Sequence, residues 1–235
     1  MKIKVLFDHD RLDERFHSGW GLAFLLGENI LFDTGEKFEY LEANARLLNV
    51  DLKKIEKVII SHDHWDHIGG LWGLLHLKKD IVVYASEAFS AEFKDKVKAA
   101  GARLELVNYH LDLGQGLHIL GDNRVIYKGK GMVEQMLFVT GEEKLAMICA
   151  CCHPGVVNLL HKAGIFFKRK VDTVVGGLHL IDKESRFAEY MIDEMRVFVE
   201  RVFASHCTGY DACKILEKKY KNNFAELKSG MEIEL

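Results

Sequence analysis

The sequence is nearly without proline, with one residue, Pro154, in 235. It also has no linker-like, repetitive or low-complexity stretch, so a single domain over residues 1–235 is expected. No apolar run approaches the roughly 18–20 residues that a membrane-crossing helix needs, and no membrane partner is expected. The N-terminus, MKIKVLFDHD, is basic and then briefly apolar, with no small-residue cleavage site after it. It reads as a first strand and not as a signal peptide. Cysteine is sparse and odd in number, five in all, with three crowded at Cys149, Cys151 and Cys152. That pattern does not suggest a disulfide framework, and a reducing cytoplasm is the simplest reading. Nor is there a large excess of one charge: 32 Lys+Arg stand against 35 Asp+Glu, a net of −3. Broad nucleic-acid binding wants a basic face, and only a local patch at Lys168, Arg169 and Lys170 is left for it.

The chain does have short runs rich in Val, Ile, Leu and Phe. They are KIKVLF (2–7), GLAFLLG (21–27), NILFDTG (29–35), KVIIS (57–61) and DIVVYA (80–85). Further on come RLELV (103–107), MLFVTG (136–141), KLAMICA (144–150), DTVVGG (172–177) and RVFAS (201–205). Their length and composition suit buried strands. The first part looks like a hairpin turning at Gly27-Glu28-Asn29. Helical patterns fall at 39–49, at 86–101 with Ser86 as the cap, at 183–200 and at 210–222.

The densest chemistry lies in SHDHWDHIGG, where three histidines and two aspartates occupy positions 62–67. KVIIS should run into it as a strand. Side chains two apart on an extended chain share a face, so His62 and His64 can enter one pocket. Asp63 alternates to the other side. Asp66 and His67 follow on a turn, and Gly69-Gly70 lets the backbone bend into what comes next. Two ligand pairs leaving one strand end in different directions suit two neighbouring cations better than one. Imidazole and carboxylate match zinc, iron(II) or manganese(II). Each ion wants at least three protein ligands plus an open position, so the motif needs partners from downstream. Two stretches offer them: ICACCHPG ends a strand at His153, and VFASHCTG ends one at His206. Both run on into helical segments, and ligands in α/β sheets gather at such strand ends.

HDHWDH reads as HxHxDH, and with it the chain resembles the metallo-β-lactamase superfamily. The hairpin with its Asp33-Thr34-Gly35 turn is similar too. CCHPG, VVGGLHL and ASHCTG resemble one branch, the dihydropterin ribofuranosyl-aminobenzene phosphate synthases. The resemblance covers nearly the whole chain. It implies an α+β fold, a four-layer αβ/βα sandwich with a binuclear metal site. It implies two divalent ions, zinc foremost with iron or manganese as alternatives. His62, His64 and His153 would hold one, and Asp66, His67 and His206 the other. Many relatives carry a bridging Asp where this chain reads Cys151-Cys152-His153. Glu134 is either the missing carboxylate or a surface residue, and the surface reading is favoured.

The expected activity is hydrolysis of a phosphoester, cyclic phosphate or related bond in an anionic small-molecule substrate. Asp66 would bind metal and orient the nucleophile. His179, in GGLHL, would stabilise charge or protonate the leaving group, with a packing role as the alternative. Asp8 and His9 end the first strand and read as a solvated loop, with a place at the rim of the site as the alternative. His17, His76, His110, His118 and His161 read as structural; Cys152 and Cys207 read as small packing residues, with a soft-ligand or redox role as the alternative. Ser61 and Thr208 are candidates to orient imidazoles. Residues 86–135 are either a substrate-covering loop pair or a plain hairpin, with Arg124, Lys128 and Lys130 as candidate anion contacts. Two other readings keep the fold: an iron-dependent oxidoreductase, and a non-catalytic metal-binding module. The oligomeric state is open, a homo-oligomer included.

Overall fold

The computed structural model describes all 235 residues. Its first six strands are β1 (Lys2–Phe7), β2 (Ala23–Leu26), β3 (Ile30–Phe32), β4 (Lys57–Ile59), β5 (Val82–Ser86) and β6 (Arg103–Val107). Then come β7 (His110–Gly114), β8 (Leu117–Tyr127), β9 (Lys130–Thr140), β10 (Leu145–Cys149), β11 (Thr173–Gly177) and β12 (Arg201–Ser205). β13 (Phe224–Glu226) and β14 (Glu232–Glu234) close the chain. The helices are α1 (Phe38–Leu47), α2 (Trp65–Ile68), α3 (Leu71–Leu77), α4 (Ala91–Ala99), α5 (Val156–Phe167), α6 (Ser185–Met195) and α7 (Tyr210–Tyr220). They gather into two compact units, Met1–Tyr109 with Lys228–Leu235, and His110–Leu227. No helix is long and apolar enough to cross a membrane.

The first unit holds a seven-stranded sheet in the order β14-β1-β2-β3-β4-β5-β6. The β2–β3 hairpin pairs Phe24 with Phe32 and Leu26 with Ile30, as the sequence pattern predicts. From β3 onward the strands run parallel. One face presents Leu6, Leu25, Leu31, Val58, Ile60, Val83 and Ala85 to a helical layer. Leu41 and Ala45 of α1, Leu71, Leu74 and Leu75 of α3 and Phe93 and Val97 of α4 form that layer. Each Val, Leu, Ile or Phe among them, removed from water, contributes roughly 1.5–3 kcal/mol before conformational entropy is set against it. The period-2 residues of the other face, among them Val5, Phe24, Phe32 and Ile59, are buried as well. One helix start differs from expectation. Ser86 ends β5, and the cap of α4 is Ser90, whose Oγ accepts the Phe93 N–H at 3.2 Å.

The second unit holds a seven-stranded sheet in the order β13-β12-β11-β10-β9-β8-β7. β10 to β13 are parallel, and β7 to β10 antiparallel. Its core packs Leu145, Met147, Val174, Val202 and Ala204 against Leu159, Leu160 and Ala163 of α5. Ile192 and Met195 of α6 and Leu216 of α7 complete it. Residues 117–140 resolve the earlier alternatives as a long hairpin, β8 against β9. Its turn has Lys128 and Gly129 both at positive φ, 49° and 76°, which a two-residue hairpin loop requires. A bulge between Leu120 and Asn123 is held by Asn123 Nδ2, which donates to Leu120 O and Glu134 O.

Candidate metal centre

In the first unit, β3 and β4 run parallel, so Asp33 and Ser61 leave neighbouring strand ends. Asp33 is fully buried and collects three hydrogen bonds. Oδ1 accepts the Ser61 N–H at 2.7 Å; Oδ2 accepts Ser61 Oγ–H at 2.7 Å and His67 Nδ1–H at 2.7 Å. Ser61 Oγ in turn meets His62 Nδ1 at 2.9 Å. With Ser61 donating to Asp33, its oxygen is left to accept from His62 Nδ1–H. One carboxylate therefore fixes Nδ1 of both imidazoles as the donor and leaves Nε2 as the nitrogen that can face a metal, in His67 after loss of its second proton, the arrangement used to orient metal-binding histidines. Burial pushes Asp33 upward, while His67 and Ser61 oppose it. Every group around it is a donor aimed at it, so we read Asp33 as ionised. Burial lowers the His67 pKa, but the charge and hydrogen bond of Asp33, with Asp66 adding, raise it to about 10 in the metal-free protein.

The other residues of the motif cluster around this relay. The ring centroids of His62 and His64 are 4.5 Å apart, and those of His62 and His67 4.2 Å. Asp66 Oδ2 lies 3.3 Å from His67 Nε2, and Asp66, His62 and His67 are all buried. Asp66 and His67 sit in α2, not on an open turn. Asp63 is turned aside, its Oδ2 accepting the Ser90 N–H at 3.2 Å. The two glycines serve another purpose than bending. Both have negative φ, and a Cβ at Gly69 would stand 1.9 Å from Glu36 O, one at Gly70 2.3 Å from Thr34 O. They permit close approach of two backbones.

In the second unit the parallel strands β10, β11 and β12 deliver their C-terminal ends to one edge. Cys151–His153, His179 and His206–Cys207 follow these ends. Cys152, His179 and His206 all adopt positive φ, 56°, 52° and 48°. Such conformations cost of order 1–3 kcal/mol each and cluster at functional sites. His153 and His179 lie tilted against each other with ring centroids 4.4 Å apart, and Tyr127 lies 4.4 Å from the first and 5.2 Å from the second. Thr208 Oγ1 donates to Ser205 O at 2.8 Å and accepts the Leu178 N–H at 3.1 Å, joining the ends of β11 and β12. His206 and Cys207 are buried in the short turn that follows β12.

Two sequence readings need correction. Glu134 is not on the surface; it is fully buried. Its Oε1 accepts the N–H groups of Cys151 at 2.8 Å and Cys152 at 3.0 Å, and its Oε2 that of His153 at 2.7 Å. It is the cradle for the turn that carries His153. Burial raises its pKa to about 7 against the pull of these three donors. β9 is buried on both faces from Val133 to Phe138, so alternation offered no exposed place for it. Asp8 is not solvated either. It is buried, with its N–H on Ser229 Oγ at 2.9 Å, because Lys228–Leu235 returns along β1.

The cysteines differ from one another. Burial, then Cys149, push the Cys152 thiol well up. Burial also pushes Cys207 up, but Cys151 and His179 overcome it and bring Cys207 to about 6. Among the remaining histidines, His17 stacks on Tyr40 at 4.7 Å, His161 lies edge-on to Phe198 and His110 pairs with His118 across β7 and β8.

The sequence profile of the metallo-beta-lactamase superfamily matches residues 21–142, more than half of the chain. The chain belongs to the metallo-beta-lactamase superfamily. It is 28% identical over 271 residues to the 7,8-dihydropterin-6-methyl-4-(beta-D-ribofuranosyl)-aminobenzene-5'-phosphate synthase of Methanocaldococcus jannaschii, covering 95% of this chain and 92% of the relative. Among solved structures, a metal-dependent hydrolase of the beta-lactamase superfamily superposes with a TM-score of 0.84 at 27% identity, over 100% of this chain and 99% of the other. Human tRNase Z, short form, shares the fold with a TM-score of 0.64 at 16% identity, over 100% and 99% of the two chains.

Proposed function

We propose that the protein is a hydrolase dependent on two divalent metal ions, zinc foremost, acting on an anionic small molecule with a phosphoester or cyclic phosphate. The observation that carries this reading is the buried Asp33 relay, which presents His62 and His67 as Nε2 ligands. Clustered imidazoles and carboxylates are the donor set that divalent zinc, iron or manganese takes. In the proposed assignment His62, His64 and His153 hold one ion, and Asp66, His67 and His206 hold the other. Bound ions of this kind supply a water acidified to near-neutral pKa and a Lewis acid for the scissile bond.

The chain's own residues supply the rest. Asp66 orients the attacking water as well as binding metal. His179 protonates the leaving group, and its place against His153 and Tyr127 supports that role. Glu134 holds the backbone of His153 in place. Tyr127 stands at the tip of the β8–β9 hairpin beside Lys128, whose Nζ is 5.2 Å from the Tyr127 ring centroid. Lys128 and Lys130 give the hairpin tip positive charge for an anionic substrate. A relative named as a synthase of a 5'-phosphate product is in keeping with a phosphorylated ligand. The test is metal content and hydrolysis of a chromogenic phosphodiester by wild type, His64→Ala and His67→Ala. Both variants should lose metal and activity; retention of both properties overturns the reading.

A further inference from the structure

We propose that Cys151, His179 and Cys207 form a second kind of metal site, a Cys2His pocket for one thiophilic divalent cation such as zinc or cadmium. Each residue follows a different parallel strand, β10, β11 and β12, so three adjacent strand ends contribute one donor apiece. The donor atoms all lie within 4.8 Å of one another. A tetrahedral ion with bonds of about 2.3 Å to sulfur places its sulfurs roughly 3.8 Å apart, so the pocket must close by no more than about 1 Å.

Three further observations favour a ligand over plain packing. Cys149, Cys152 and Cys213 belong to the apolar core of this unit, whereas Cys151 and Cys207, equally buried, stand outside it. Besides Cys151 and His179, which interact with it, Cys207 Sγ meets carbonyls only at long range, 3.9 Å to Ala150 O and 3.7 Å to Cys151 O. The Nδ1 of His179 is buried with no hydrogen-bond partner, an arrangement that native structures rarely leave without a purpose. A Cβ at position 177 would fall 2.2 Å from Ala150 O and 2.7 Å from Cys207 Sγ, so the glycine there lets both approach. Two thiolates and an imidazole leave a fourth position open, and their softness selects zinc or cadmium over magnesium or calcium.

The site shares His179 with the hydrolytic reading above, and only its consequence for activity rests on that reading. A cation held by His179 removes the imidazole from proton transfer, so filling this pocket should inhibit hydrolysis. The test uses the full chain, stripped of metal and titrated with cobalt(II). Wild type should develop the near-ultraviolet charge-transfer absorption of thiolate-bound cobalt. Cys207→Ser should lack it, and His62→Ala should keep it. No such band in wild type, or a band that persists in Cys207→Ser, overturns the proposal. If Cys207→Ser does not fold, cadmium NMR of the wild type decides: a resonance in the thiolate range upholds the site, and resonances only in the oxygen and nitrogen range overturn it. The same cadmium additions should inhibit phosphodiester hydrolysis in wild type and spare Cys207→Ser. A thiolate signal with unchanged hydrolysis upholds the pocket and overturns only the leaving-group role of His179.

Discussion

His67 Nδ1 donates to Asp33 Oδ2 across 2.7 Å, with both side chains fully buried. Asp33→Asn preserves shape but turns a donor toward His67 and Ser61, which are themselves donors. Metal affinity should fall about 10–100-fold, the range known for partners that orient ligating histidines. Metal titration followed by calorimetry checks this; unchanged affinity would mean that Asp33 does not set the imidazoles.

The same pair makes metal binding depend on pH. In the metal-free protein His67 carries a proton up to about pH 10, and metal needs its bare Nε2. Apparent affinity should therefore rise as pH rises, by up to about tenfold per unit below that pKa. The stability of the metal-free protein runs the other way. The folded pKa is raised, so the His67 contribution is complete below pH 6.5 and is lost as pH rises through about 10. Chelator competition between pH 6.5 and 9 reads the first effect, and a flat profile would contradict it.

Glu134 satisfies three buried N–H groups, so Glu134→Ala should leave all three without acceptors. The expected loss is at least about 3 kcal/mol, taking the low end of the cost per unsatisfied group. Urea unfolding gives the number, and a loss under 1 kcal/mol would show that water replaces the carboxylate. Because its folded pKa is raised from 4.5 to about 7, stability of the metal-free wild type should decline as pH climbs through that window. Glu134→Gln should show a flatter dependence there.

Gly69→Ala should destabilise by about 1–3 kcal/mol, the range for overpacking, since the added carbon meets the Glu36 carbonyl at 1.9 Å. Because α2 precedes it directly, metal affinity should drop as well. A thermal melt with a metal titration tests both effects, and a variant as stable as wild type would refute the close-approach role.

Much of the fold was written locally. Strand length and apolar content located ten of the strands, and the β2–β3 hairpin followed from its Gly-Glu-Asn turn. The other four are β7, β8, β13 and β14: β7, β13 and β14 are partly exposed and carry His, Asp and Glu, which give no apolar run, and β8 lies in the stretch whose pattern fits a loop pair as well as a hairpin. HxHxDH stands out because its spacing is a local property of the chain, and His153 and His206 stand out by following buried strands.

The sequence by itself determined which residue types stand at the strand ends: four candidate ligands within residues 62–67, then His153, His179 and His206. What only tertiary structure decided is which of the other polar groups serve them. Asp33 reaches Ser61 from 28 residues away, and Glu134 reaches Cys151 from 17. Both depend on strand order, which residue spacing does not encode. A buried carboxylate persists only where donors surround it, and those donors exist here because neighbouring strands end side by side.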